Sequence, residues 1–546
     1  MVAAFRLADR WLEIAASNNY RPRPDSAGIN SNMDAKVSLD KGGLPAKDTD
    51  TPLQPITSIT STLKAGEITE ELREGFSVWS LGALLVCLMA TWEALATVVA
   101  SALTNGGPPC LFYNYIISFL GTMAVAASMA EIASMYPSAG GQYHWVAAFA
   151  PTKIRPFSSW ITGWINIGGQ LCLTASAALS AGLLFQGLLT LNNPDYAAQR
   201  WHGVMFYWLV LAYSLVVNVY GSRILAQSNI AAGVLHVFGF IIVVVILGAM
   251  TKTKNTAEYV FTDFSNTSGW SSNGVSWLVG LLSTVYPFLG YDAAAHMSEE
   301  LPRPSKYVPI AMLGSIIVNG LIGLVFCIVF LFCLGDLDEL LKTTTGFPFV
   351  QLYYNVTQNH VAATFMTLFH AFIALAANSA GLTSTSRTAW AFARDRAVPY
   401  SAYYAHLNPS NQLPVRMCIL LTVLQFLLGL IYLGNTTAFN AIISMSILGM
   451  YASYVLPISF MLLYGRRSAV HRPGWFSMGR WGPTINIIAL LWGAVAITFS
   501  MFPSYQPVTA QNMNYASLVL GGWFIIGAVY YLLHQRKSYE GPVVLL

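Results

Sequence analysis

Charged side chains are what this sequence most conspicuously lacks. Asp, Glu, Lys and Arg make up 10% of its 546 residues, against about 25% in an ordinary soluble domain, which argues against a water-soluble fold. The formal net charge of +4 is small and scattered, so no nucleic-acid-binding face is expected. Cysteine is sparse as well. Cys87, Cys110, Cys172, Cys327, Cys333 and Cys418 sit in or beside apolar runs without Cys-x-x-Cys pairing, as small buried apolar side chains do, and indicate neither a disulfide framework nor a metal site. No Gly-rich loop precedes a GKS or GKT, and no His/Glu or Cys spacing matches a zinc hydrolase. ATP-driven transport, metal catalysis and a bound cofactor therefore all lack the residues they need.

What the sequence has in abundance is apolar length. Hydrophobic residues make up 55% of the chain. From Phe76 onward, apolar runs recur that are long enough to cross a hydrocarbon core of about 30 Å at 1.5 Å per helical residue. They fall near 76–104, 109–136, 157–190, 201–221, 224–250, 274–297, 309–335, 361–386, 415–434, 437–464, 484–502 and 514–534. This predicts an all-α membrane protein with about twelve transmembrane helices. Residues 1–75 are polar and rich in Ser, Thr, Asp, Asn and Pro, which predicts a disordered tail. Within it, Ala4 to Ala15 has the pattern of a short amphipathic helix and lacks the apolar core of a signal peptide. A transporter domain is expected over 76–534 and a short C-terminal tail over 535–546.

The distribution of Lys and Arg orients the helices. If the N-terminus is cytoplasmic, fifteen of these residues fall in cytoplasmic loops and the C-terminal tail, whereas only Arg200, Lys252, Lys254 and Lys342 fall outside. Cytoplasmic loops are the ones enriched in positive charge, so both termini are expected in the cytoplasm. The sequons at Asn266, Asn355 and Asn435 then lie outside, the last of them too near the membrane to make a good acceptor.

Ionisable residues inside a membrane span are costly and mark candidate sites. The spans contain Glu93, Glu131, His236, Asp292, His296 and His370, with Glu299 and Glu300 at a helix end. Halfway along the first span stand Ala90, Thr91, Trp92, Glu93 and Ala94. Halfway along the sixth stand Tyr286, Pro287, Phe288, Leu289, Gly290, Tyr291 and Asp292, where Pro removes a helix donor and Gly permits an unwound backbone. Two broken helices five spans apart suit an inverted-repeat transporter with a midplane site; plain kinks are the alternative. Trp92, Tyr286, Phe288 and Tyr291 flank the breaks, where aromatic faces attract ammonium groups. Most other aromatics are expected at lipid or interface.

Three further stretches carry a resemblance. Glu131 to Trp145 (EIASMYPSAGGQYHW), Phe288 to Asp292 followed by Ser298 to Pro304 (SEELPRP), and Ser386 to Asp395 (SRTAWAFARD) resemble motifs of the amino acid-polyamine-organocation superfamily. Asn512 to Tyr515 and Arg536 to Pro542 look like its fungal choline, GABA and amino-acid permease branch. The resemblance covers about residues 70–543. It implies a LeuT-like core, a five-plus-five inverted repeat over spans one to ten with broken helices 1 and 6. It also implies substrate contacts from Thr91, Trp92, Glu93, Tyr286, Phe288, Leu289, Gly290 and Tyr291. An aromatic at the Tyr286 position closes over the ligand in relatives. Glu93 departs from the small residues of many members, and a carboxylate there favours an ammonium over an anion, unless it is protonated or turned outward. Some relatives carry a Lys near Val234; here His236 lies close by and is a proton-coupling candidate together with Glu93 and Asp292, although a hydrogen-bonded structural histidine is the plainer reading. Glu131, Glu299 and Glu300 are expected to bond to backbone or to Arg387 and Arg394 as an inner gate.

The function implied is secondary transport of amino acids or related small amines such as choline or GABA. It would be proton-coupled and work by alternating access, with the plasma membrane favoured over the vacuolar one. Two other classes bear on the same residues. A transport-inactive nutrient sensor shares the same fold, and a multi-span membrane enzyme would need a paired acid and base, for which His144 and Glu131 lack suitable spacing.

Overall fold

The computed structural model describes residues 76–220, 222–434, 438–466, 473–510 and 512–542. The tail over 1–75, with its amphipathic stretch, and Asn435, Arg467 and Arg472 lie outside the described residues. All regular elements among the described residues are helical.

Eleven described helices are long and apolar enough to cross a membrane. The first runs over Val78–Met135, 58 residues, which as one straight helix would be roughly 87 Å long. It is in fact two crossings. Gly107 has φ 71° and ψ −161°, and Pro108 and Pro109 follow; proline is tolerated in a first turn, where its missing N–H is not needed. We label these crossings span 1 (78–106) and span 2 (108–135). The others are span 3 (Arg155–Asn192), span 4 (Arg200–Tyr220), span 5 (Leu225–Met250), span 6 (Asn273–His296), span 7 (Pro304–Phe332), span 8 (His360–Arg394), span 9 (Val415–Gly434), span 10 (Phe439–Gly465), span 11 (Gly479–Phe499) and span 12 (Ala516–Leu533). These twelve crossings fall where the apolar runs predicted them.

Spans 1, 2, 6 and 7 pack together, and spans 3, 4, 8 and 9 form a second group. Span 10 lies along span 3. There Gly169 and Gly449 meet so closely that a Cβ on Gly449 would sit 2.5 Å from the Gly169 Cα; small residues are what let membrane helices approach like this. Spans 11 and 12 lean on spans 2, 3 and 10 from outside. Large apolar residues such as Leu209, Leu491 and Leu518 point outward, the belt a bilayer covers. Val234 is also 64% exposed, whereas His236, two residues on, is fully buried, so the inward-facing ionisable group of span 5 is the histidine.

Glu131, Glu299, Arg387, Arg394 and Arg466 gather at one end of the bundle, called here the basic end. Asn266 and Asn355 lie at the opposite end. The Asn266 amide donates to the Trp270 carbonyl at 2.9 Å, and Asn355, inside the helix Pro348–Thr357, donates to Glu339 at 3.0 Å. At the basic end the tail folds back, burying Tyr539 with its hydroxyl 3.0 Å from that of Ser159.

Candidate functional site

Both breaks are real. The first half of span 1, Val78–Met89, starts on a Ser77–Ser80 capping box and stops at Ala90, whose φ of 42° and ψ of 48° are left-handed. That conformation costs a residue with a Cβ of order 1–2 kcal/mol, and such strain clusters at functional sites. Thr91 restarts the helix at once, so the break is a single residue, with Thr91, Trp92 and Glu93 in the first turn beyond it. Span 6 is more open. The helix Leu282–Val285 tightens to a 3-10 turn over Tyr286–Phe288, Leu289 is extended, Gly290 has φ 101°, and the helix resumes at Ala293.

A cavity of about 40 Å³ lies between spans 1, 3, 6 and 8, and its walls include Ala90, Glu93, Thr97, Ser180, Tyr286, Leu289 and His370. Glu93 is 2% exposed. Its Oε1 lies 2.9 Å from His236 Nδ1, while Oε2 and His236 Nε2 have no hydrogen-bond partner. The two proton-coupling candidates of spans 1 and 5 are thus one pair. Among the described residues, no Lys or Arg lines the cavity. A buried carboxylate oxygen without a donor is expensive, and in this low-dielectric setting it attracts a cation strongly. The Tyr286 hydroxyl reaches across to Ser176 of span 3 at 2.7 Å, closing one wall.

Other expected substrate contacts stand back from the cavity. Trp92 is wholly buried behind it. Its indole N–H donates to the His236 carbonyl at 3.3 Å and its ring meets that of His370 edge-on at 4.7 Å. Thr91 ties the breaks together through the Pro287 carbonyl. Phe288 stacks on Phe119 at 5.7 Å, and Tyr291 packs beside Tyr454 at 5.4 Å. Gly290 shapes the backbone without lining the space. In span 6, where Leu289 is extended, only Tyr286 and Leu289 line the cavity.

Asp292 is likewise outside the cavity. Its Oδ1 accepts from Tyr454 at 2.8 Å, and its Oδ2 accepts from Gln142 at 2.7 Å and lies 3.2 Å from His296. Each of the three glutamates expected at the cytoplasmic end has a partner of an expected kind, an arginine of span 8 or a backbone N–H. Glu299 makes a two-point pair with Arg394 at 2.8 and 3.0 Å, and Glu300 pairs with buried Arg387 at 2.8 Å. Glu131 instead pairs with Arg466 and accepts from the Ser477 hydroxyl and the Met478 N–H. The end of span 2 abuts the segment joining spans 10 and 11, which brings Arg466 nearer than either arginine of span 8.

Sequence reading singled out His370 only as an ionisable residue in a span, and passed over Tyr353. His370 lines the cavity, and its Nε2 lies 2.8 Å from the Tyr353 hydroxyl. Intramembrane charge was the available signal for the first; nothing local marks the second, which sits on a helix outside the spans.

Comparison with known proteins agrees with this architecture. The profile of the amino acid permease family matches residues 76–525. The chain is 29% identical to the choline transporter of Saccharomyces cerevisiae over 93% of this chain and 89% of that one. It is 30% identical to amino-acid permease BAT1 of Arabidopsis thaliana over 87% and 94% of the two chains. Among solved structures, a mutant manganese transporter of Eremococcus coleocola superposes with a TM-score of 0.54 at 13% identity, covering 86% of this chain and 98% of that one, a likeness of fold alone. With twelve crossings, two broken spans and a buried cavity between them, this chain belongs to the amino acid permease family, and it is a transporter, not an enzyme.

Proposed function

We propose that the protein is a secondary permease for small amines or amino acids whose ammonium group is held by Glu93. The observation that carries this reading is that Glu93 lines a cavity whose described walls hold no Lys or Arg, while its buried Oε2 has no hydrogen-bond partner. An organic cation such as choline, or the ammonium end of GABA, supplies the missing charge. A neutral amino acid fits the same anchor if its carboxylate turns to the helix that starts at Thr91, whose first N–H groups attract anions. About 40 Å³ has room for only a few waters, so a substrate enters when the walls move, as alternating access requires. His236 is the coupling proton's carrier in this reading, since it is the titratable group bonded to Glu93.

The basic end faces the cytoplasm of a plasma-membrane protein in this scheme, on the strength of the Lys and Arg distribution. An impermeant thiol reagent added outside then labels a cysteine placed at Asn355 and spares one at Arg394. The substrate test is uptake in cells lacking endogenous permeases, with labelled choline, GABA and neutral amino acids competed by a compound panel. Competition by amines with free cationic ends supports the reading. Competition confined to anions contradicts it.

A further inference from the structure

We infer that Asp292 and His296 form a second, buried one-proton site, separate from the cavity, whose occupancy is read by the Glu299–Arg394 pair at the basic end. The inference rests on the transporter reading, since it presumes a gate that opens, but not on the identity of the substrate.

The hydrogen-bond inventory is the starting point. His296 Nδ1 lies 2.9 Å from the Ala139 carbonyl. A carbonyl only accepts, so Nδ1 carries a hydrogen. In the neutral ring Nε2 is then a lone pair, and it accepts from the Gln170 amide 2.7 Å away. It also faces Asp292 Oδ2 at 3.2 Å. That carboxylate already accepts from Gln142 and Tyr454, so two acceptor atoms face each other with no hydrogen between them in a dry interior. Gln170 Oε1 meanwhile has no donor at all. All these groups are buried, Gln170 at 4% and the others at 1% or less.

The network is therefore one hydrogen short, and a single proton repairs it. Taken up on His296 Nε2, the proton makes an N–H donor to Asp292 Oδ2, a charge-assisted bond. The Gln170 amide then rotates to present its idle Oε1. Without the proton, Nε2 and Oδ2 repel and the ring is pushed off its seat.

That seat leads to the gate. Ala139 accepts from His296 through its carbonyl and donates through its N–H to Glu299 Oε1 at 3.3 Å. Gly141, at φ 55°, lets the loop lie against the imidazole, where a Cβ would come 2.6 Å from His296 Cε1. Ring displacement thus moves the loop that steadies Glu299. The protonated pair holds the basic end shut and the deprotonated pair loosens it.

Other titratable groups face this site. They are the phenols of Tyr291, Tyr451 and Tyr454, Tyr143 bonded to Asp395, the Glu300–Arg387 and Glu299–Arg394 pairs, and His144. Burial, with Arg394 nearby, lowers His144 to about 4, so it stays neutral throughout the window of the test.

The test uses Ser298→Cys, a 1% exposed position just beyond His296, in full-length protein with its native cysteines replaced and reconstituted in nanodiscs without substrate. The readout is its labelling rate with a soluble thiol reagent, corrected for the thiolate fraction with a cysteine at exposed Asp338. The corrected rate should rise about tenfold from pH 5.5 to pH 8, a shift within reach of one charged hydrogen bond. Asp292→Asn and His296→Gln should each flatten the profile. If His296→Gln does not fold, Asp292→Asn, nearly isosteric, decides. A flat wild-type profile, or a slope that survives Asp292→Asn, overturns the inference. Labelling needs no transport, so failure of the amine reading leaves this result standing.

Discussion

Thr91, at the start of the second half of span 1, donates its hydroxyl hydrogen to the carbonyl of Pro287, 2.9 Å away across 196 residues of sequence. The acceptor is available because span 6 unwinds just beyond it, and the donor stands there because Ala90 restarts the helix at Thr91. Each break supplies what the other needs. The cavity lies beside this joint, so the residues that shape the backbone and those that face the cavity are separate sets.

The two breaks differ in what their residues tolerate. Ala90 bears a Cβ at φ 42°, so Ala90→Gly relieves strain and should preserve uptake while raising thermal stability by about 1 kcal/mol. Gly290→Ala places a Cβ at φ 101°, 3.0 Å from Leu88 Cγ, and should abolish uptake at normal surface expression. Transport assays on both, with melting in detergent, check the contrast. Equal tolerance would mean that span 6 can adopt another path.

The gate pairs should separate by burial. Arg387 and Glu300 have side chains 1% and 6% exposed. Arg387→Met strands a buried carboxylate and should cost about 3–5 kcal/mol, most of it recovered when Glu300→Gln is added. Arg394 and Glu299 are 36% and 26% exposed, and Arg394→Met should cost under about 1 kcal/mol while increasing labelling from the basic end. Chemical denaturation of the three variants measures this.

His144, buried on the helix Gln142–Phe149 outside the spans, is held neutral, its imidazole lowered to about 4 chiefly by burial and next by Arg394. A histidine with a depressed folded value contributes stability above its unfolded value near 6.5 and loses it as pH falls toward 4. Between pH 7 and pH 5 the loss is about 2 kcal/mol. His144→Gln should remove that part of the acid sensitivity. Melting temperatures at the two pH values, compared with wild type, give the answer.

The spans were legible because each is a long apolar run, and the breaks because Pro287 and Gly290 are chemically conspicuous in one of them. Glu93 was legible as a charge where charges are costly. Its pairing with His236, 143 positions away, depends on how spans 1 and 5 meet, which no local pattern encodes. The same holds for Glu131, whose partner Arg466 belongs to the segment joining spans 10 and 11. Flanking a break does not decide on which side of the helix a ring falls: the Trp92 indole N–H donates to the His236 carbonyl, and its ring stands behind the cavity.

The central claim is that Glu93 holds the ammonium of the substrate, and the most direct measurement is competition binding of a choline, GABA and neutral amino-acid series to purified wild type and Glu93→Gln. A charged hydrogen bond of about 1.5–3 kcal/mol corresponds to roughly 10- to 100-fold in affinity. The account predicts that Glu93→Gln loses this much for every ligand with a cationic end, with a smaller effect on maximal transport rate. Affinities unchanged across the series, with normal accumulation in cells, would contradict it.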